Sequence, residues 1–188
     1  ISAMSKLIFN KIIAKFEKLD EYLKCLHEIQ KVNRKTFLAD YHYYGLAERY
    51  LQLAIEIILD VGKLMIIYQN LRRPEDNQDI FVVLTDEKIL SSKLAEKFSG
   101  IAGFRNILVH DYEKIDREIV YEKLQKNLEH FKDFKKGIAE MRRVASKLVI
   151  ITLLKKSPQY KDIEKEIKKM KSVAMLDDAI DTIFIMQP

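Results

Sequence analysis

Apolar residues recur at alternating steps of three and four along most of the chain, the spacing of one helix face. Ile12, Phe16, Leu19, Leu23 and Leu26 trace such a face and predict a first helix over about 6–32, ended by Val32-Asn33-Arg34-Lys35. Tyr44, Ala47, Leu51, Ala54, Ile58, Val61 and Met65 predict a second over about 37–70. Its apolar stripe is broad, which predicts a helix buried on much of its surface. Gly45 and Gly62 lie inside it; each weakens a helix by roughly 1 kcal/mol relative to alanine, so close packing is the expected reason for both. Residues 71–79 (LRRPEDNQD) form the clearest loop. The run Ile80-Phe81-Val82-Val83-Leu84 could pass for a strand, but without partner strands it reads as a short helix or tight connector. Asp86 or Ser91 then caps a helix to about 110, marked by Leu94, Phe98, Ile101, Phe104 and Leu108. After a polar break at 111–116, Asp116 caps a helix carrying Tyr121, Leu124, Leu128, Phe131, Phe134 and Ile138 to about 156, where Ser157-Pro158 stops it. Two short helices follow, at 160–171 and 174–186. The expected architecture is all-α: an up-and-down bundle of four to five helices over 4–145, with a helical C-terminal extension over 146–188.

Composition supports this plan. Five glycines and three prolines in 188 residues are too few for the turns of a sandwich or barrel, and 48% hydrophobic residues suffice for a sizeable core. The lone Cys25 excludes an intrachain disulfide and any multi-cysteine metal site, and its spacing reads as a small buried side chain. No run approaches the length of a membrane span and no signal peptide opens the chain. Ile1-Ser2-Ala3 before Met4 reads as a cloning scar. With one cysteine, no span and no signal peptide, a cytoplasmic, reduced protein is expected. Charge is unevenly placed: residues 1–130 are neutral, 131–171 carry a net +8 and 172–188 a net −3. The basic segment could follow a phosphate backbone, or be a solvated helix face with internal pairs such as Glu164 and Lys168.

Chemistry concentrates in Gly103-Phe104-Arg105-Asn106-Ile107-Leu108-Val109-His110-Asp111-Tyr112. Ile101, Phe104 and Leu108 already supply the packing stripe, so Arg105 and His110 are free for other work. Metal-independent RNA cleavage uses the 2′-OH as internal nucleophile. It needs a base for that proton and a cation for the charge on phosphorus. Histidine fits the acid or base role near neutral pH, and arginine offers a planar fork matched to phosphate oxygens. Asn106 could position either. Within a continuous helix, side chains five positions apart point about 140° away from each other. Convergence therefore needs His110 at a helix end, or two copies of the motif meeting across a dimer axis.

The run AGFRNILVHDY resembles the R-x4-H-x-Y motif of HepT-like HEPN toxins, and YYGLAERYLQLAIEIILDVG at 43–62 resembles that group's second helix. The resemblance covers about residues 5–140. It implies a HEPN-like bundle in which Arg105 and His110 are the ribonuclease pair and Asn106 is the polar residue after the motif arginine. It also implies that Tyr112 is the tyrosine to which a partner minimal nucleotidyltransferase, the antitoxin, adds AMP. Members of the group typically dimerise, with both motifs along a shared cleft. AMP on Tyr112 would set a bulky anion beside Arg105 and compete with an RNA phosphate for the same cation.

The function expected is a toxin of a toxin–antitoxin pair that cleaves RNA without metal or cofactor. The alternatives are a non-catalytic helical adaptor of a nucleotidyltransferase, or a basic RNA-binding module acting through 131–171. Glu48, Arg49 and Asp111 are possible supporting residues. His27, His42 and His130 lack the Glu-x-x-His spacing of di-iron bundles and read as surface or satisfied histidines. The cluster Tyr41-His42-Tyr43-Tyr44 could stack bases or pack at a helix contact. Gly100 and Gly103 are expected to let another helix approach closely.

Overall fold

A computed structural model describes the backbone over 3–110 and 115–154, and side chains over 7–109 and 115–140. The chain forms two compact units, Ile1–Gly137 and Ile138–Pro188. The described part of the second is helical, 138–154. The expected helices at 160–171 and 174–186, and most of the extension 146–188, lie outside the described residues.

The first unit is an all-helical bundle. Helix α1 (Ala3–Gln30) buries Ile12, Phe16, Leu19, Leu23, Leu26 and Ile29, the stripe its sequence predicts. Its end is tied to helix α7 (Arg117–Leu154) by Gln30, whose Nε2 donates to the Leu124 carbonyl at 2.9 Å, while Gln125 Nε2 donates back to the Gln30 carbonyl at 3.0 Å.

The helix expected over 37–70 is two helices, α2 (Arg34–Ala39) and α3 (Tyr41–Tyr68). Asn33 caps α2 by accepting from the Thr36 N–H at 3.0 Å. Asp40 divides the two: its extended backbone ends α2, and its carboxylate accepts from the His42 N–H at 2.9 Å to start α3. Phe37 and Tyr44, seven positions apart, keep helical spacing across this break and conceal it. From Leu51 to Ile66, α3 buries Leu51, Ala54, Ile55, Ile58, Val61 and Met65 among others. It is the central helix, packed by α1, α2, α4 (Asp79–Asp86) and α6 (Ile101–His110).

Residues 80–84 are helical, within α4 (Asp79–Asp86). Close packing explains Gly62, where an added Cβ would lie 2.5 Å from Ile80 Cγ2. It does not explain Gly45 or Gly103, where no heavy atom comes within 4 Å of an added Cβ. The loop before α4 is braced by Arg72, whose Nη1 and Nη2 donate to Asp79 at 2.6 and 2.8 Å. The Asp79 carboxyl also accepts from the Glu75 N–H at 2.9 Å. First the Arg72 bonds, then this backbone bond, pull the Asp79 pKa from 3.8 to about 2. A depressed folded-state pKa contributes stability that is fully present above 3.8 and is lost as pH falls through about 2. A carbon-13 titration of this carboxyl is expected to give a midpoint near 2; an ordinary aspartate midpoint would show that the brace does not form.

The helix expected to run to 110 is also interrupted. Ser91 caps α5 (Ser92–Glu96) by accepting from the Leu94 N–H at 3.2 Å, and α6 (Ile101–His110) follows. Gly100 turns the chain between them at φ +75°, so conformational freedom rather than helix approach is its reason. Helix α7 (Arg117–Leu154) starts at Asp116, whose carboxylate accepts from the Glu118 N–H at 2.8 Å. Four phenylalanines join α4, α7 and the turn after α5. Phe98, fully buried, stacks on Phe81 with centroids 5.4 Å apart and meets Phe131 and Phe134 edge-on at 6.3 and 5.5 Å. Among the described residues no helix is long and apolar enough to cross a membrane.

Candidate active site

Helix α6 lies against α3 and buries Ala102 and Leu108. Arg105 follows Phe104 by one position, so it projects about 100° around the helix. There it meets a polar row on α3. Arg105 Nη2 donates to Glu56 Oε1 at 2.9 Å, with the two side chains only 25% and 34% exposed. The same Glu56 oxygen accepts from Gln52 Nε2 at 3.0 Å, and Gln52 Oε1 accepts from Arg49 Nη1 at 3.1 Å. Arg49, Gln52 and Glu56 stand three and four positions apart, hence on one face of α3. Packing fixes that face, because Ile55, Ile57 and Ile58 around Glu56 are buried.

The sequence-predicted residues divide accordingly. Arg49 and Arg105 are joined through Gln52 and Glu56. Glu48 belongs to a different group: burial pushes its carboxyl above the usual range, opposed by the Arg117 charge. The Arg117 guanidinium itself lies 3.9 Å over the centre of the Tyr44 ring. Asn106 is exposed on α6. His110 is the last described residue of α6. The His110 side chain, Asp111 and Tyr112 lie outside the described residues.

Sequence reasoning missed Glu56 and Gln52. A signal was present: Glu56 is the one acid in the otherwise apolar run Ala54–Leu59. An acid inside a stripe that packing claims calls for a cationic partner.

The other histidines lie on α1, α3 and α7, and two of them, against the expectation of surface or satisfied rings, keep a buried nitrogen with no partner among the described residues, His27 Nε2 and His130 Nδ1. His27 Nδ1 bonds Gln30 Oε1 at 3.1 Å and His42 Nδ1 bonds Asp40 Oδ1 at 2.9 Å. Burial, then the nearby Lys97, push the half-buried His130 imidazole below its usual pKa. The Tyr41 ring lies tilted by 32° against His42, centroids 3.9 Å apart, and remains exposed. Among the described residues no group of three or more His, Cys, Asp or Glu side chains could hold a metal ion.

Comparison with known proteins bears on the same segment. The family described as "Ribonuclease HepT-like" matches residues 17–138, which include Arg105, His110 and Tyr112. An mRNA nuclease HepT of Shewanella oneidensis is 28% identical over 133 residues, covering 70% of this chain and 95% of that protein. A tRNA nuclease HepT of Aphanizomenon flos-aquae is 26% identical over 110 residues, 58% of this chain and 75% of that protein. Among solved structures, a tri-AMPylated Shewanella oneidensis HEPN toxin in complex with MNT antitoxin superposes with a TM-score of 0.64 at 26% identity, covering 69% of this chain and 96% of that one.

Proposed function

The chain belongs to the Ribonuclease HepT-like family, and from that premise we propose that it is the toxin of a toxin–antitoxin pair, a metal-independent endoribonuclease. The observation that carries the reading is Arg105: a half-buried guanidinium, held on the flank of α6 in the R-x4-H-x-Y motif, with N–H groups beyond the one it gives, among the described residues, to Glu56. Arg105 and His110 are the catalytic pair, and Asn106, exposed beside Arg105, helps orient the substrate. His110 takes the 2′-OH proton; the 2′-oxygen forms a bond to the adjacent phosphorus, and the bond from phosphorus to the 5′-oxygen breaks. The departing oxygen gains a proton, and the upstream fragment ends in a 2′,3′-cyclic phosphate. Arg105 stabilises the extra negative charge on the phosphoryl oxygens as it develops. Purified, unmodified protein is expected to cleave RNA in excess EDTA and leave cyclic phosphate ends. Cleavage that requires a divalent metal would overturn this reading.

Two copies with their motifs along one cleft would resolve the angular mismatch between Arg105 and His110 on a single helix. Leu46 on α3 and Ile107 on α6 leave apolar side chains in solvent and offer surface to a second copy. The partner is a minimal nucleotidyltransferase antitoxin that attaches AMP to Tyr112, with Asp111 beside it, so that the added phosphate competes for Arg105. The catalytic bundle spans 4–145, the extension 146–188 and the basic segment 131–171 adding surface for RNA or partner, and the protein acts in the cytoplasm. Co-expression with such an antitoxin is expected to raise the intact mass in steps of about 329 Da, one AMP each. Steps that persist in Tyr112→Phe would place the modification elsewhere.

One observation favours the second reading, a non-catalytic adaptor. The Arg105–Glu56 pair gives the guanidinium a structural partner of its own. A stable antitoxin complex together with no nuclease activity from unmodified protein would select it.

A further inference from the structure

We propose that Glu56, backed by Gln52, is the positioning residue for Arg105: it sets the direction of the guanidinium and mutes its charge toward RNA. The inference rests on the nuclease reading above and deepens it. Arginine is a long, freely rotating side chain, and a cation that stabilises a transition state must already point at the phosphoryl oxygens before charge develops. At Arg105 that orientation comes from another helix. Glu56 Oε1 receives Arg105 Nη2 at 2.9 Å, and Gln52 Nε2 holds the same oxygen at 3.0 Å. Glu56 is therefore fixed from both sides, on the central helix and among buried isoleucines. One guanidinium nitrogen is taken, and the planar fork leaves further N–H groups for a phosphate.

The pairing also has an electrostatic consequence. A carboxylate against the guanidinium lowers the net positive charge that an RNA backbone meets. Removing it should strengthen RNA binding while loosening the geometry, so KM and kcat fall together. A pair that merely stabilised the fold would instead change the melting temperature and leave kcat alone.

The test compares Glu56→Ala, Glu56→Gln and Gln52→Ala with the wild type in EDTA, on a short fluorogenic RNA. Glu56→Ala is expected to lower kcat about 100-fold, the cost of misplacing a catalytic group by about 1 Å. Its KM should fall as well. Glu56→Gln keeps one acceptor for the guanidinium and should recover roughly 10-fold of that loss, with Gln52→Ala the mildest. In parallel, the nitrogen-15 signals of the Arg105 guanidinium should be resolved in the wild type and averaged by rotation in Glu56→Ala. A kcat within twofold of wild type, or a loss that appears only as a raised KM, overturns the proposal. So do unchanged guanidinium signals in Glu56→Ala. If the wild type itself fails to cleave RNA, the nuclease reading falls, and the guanidinium signals still decide whether Glu56 fixes Arg105.

Discussion

Arg105→Ala is expected to reduce RNA cleavage by about 1000-fold, the loss of one preorganised donor to a developing oxyanion. That factor is about 4 kcal/mol of transition-state stabilisation. The fold should survive. The pair it breaks is 25% and 34% exposed, and Gln52 still donates to Glu56. Partly exposed ion pairs add little to stability, so circular dichroism and the melting temperature should stay near wild type. Arg105→Lys keeps the charge but cannot reproduce the planar fork toward both Glu56 and a phosphate, so it should recover only part of the rate. His110→Ala should remove metal-independent cleavage to a similar degree, by the separate route of losing the proton carrier. Initial rates on one RNA in EDTA check all three. Cleavage by Arg105→Ala within tenfold of wild type would take the cation out of the mechanism.

The largest stability effect is expected at Phe98. Its ring is fully buried and touches Phe81 on α4 and Phe131 and Phe134 on α7. Phe98→Ala removes the shared neighbour of all three and should cost about 3–5 kcal/mol. That is a large share of the roughly 5–15 kcal/mol that holds a typical domain folded. Urea unfolding should show a lower midpoint with little change in slope. A loss below about 1 kcal/mol would mean that the aromatic cluster relaxes into the space, contrary to close packing. Activity need not follow, because the Arg105 guanidinium is held by Glu56 on α3, which is not part of this cluster.

Much of the fold can be read from spacing alone. The stripe Ile12-Phe16-Leu19-Leu23-Leu26 is buried as its periodicity predicts, and Asp116 caps α7. Breaks were harder to see wherever the apolar pattern continued across them. At Asp40 one residue ends α2 with its extended backbone and begins α3 with its carboxylate, while Phe37 and Tyr44, seven positions apart, keep helical spacing across it. At Gly100 a single positive φ separates α5 from α6. The glycines were ambiguous for the same reason: Gly62 faces Ile80 and Gly45 faces no neighbour, yet both are glycines inside one predicted helix.

The candidate site divides along the same line. Sequence by itself determined the all-helical class, the residues of the R-x4-H-x-Y motif and the family they resemble, because local spacing and residue chemistry are written in the chain. Tertiary structure alone decided which residue faces Arg105. Glu56 stands 49 positions away from it, and only the packing of α6 on α3 brings the carboxylate to the guanidinium. It also sent Glu48 toward Arg117 and left Arg49 linked to the site through Gln52. Such pairings depend on how two helices are rotated and offset against each other. That geometry is set by the whole core, which no local pattern encodes.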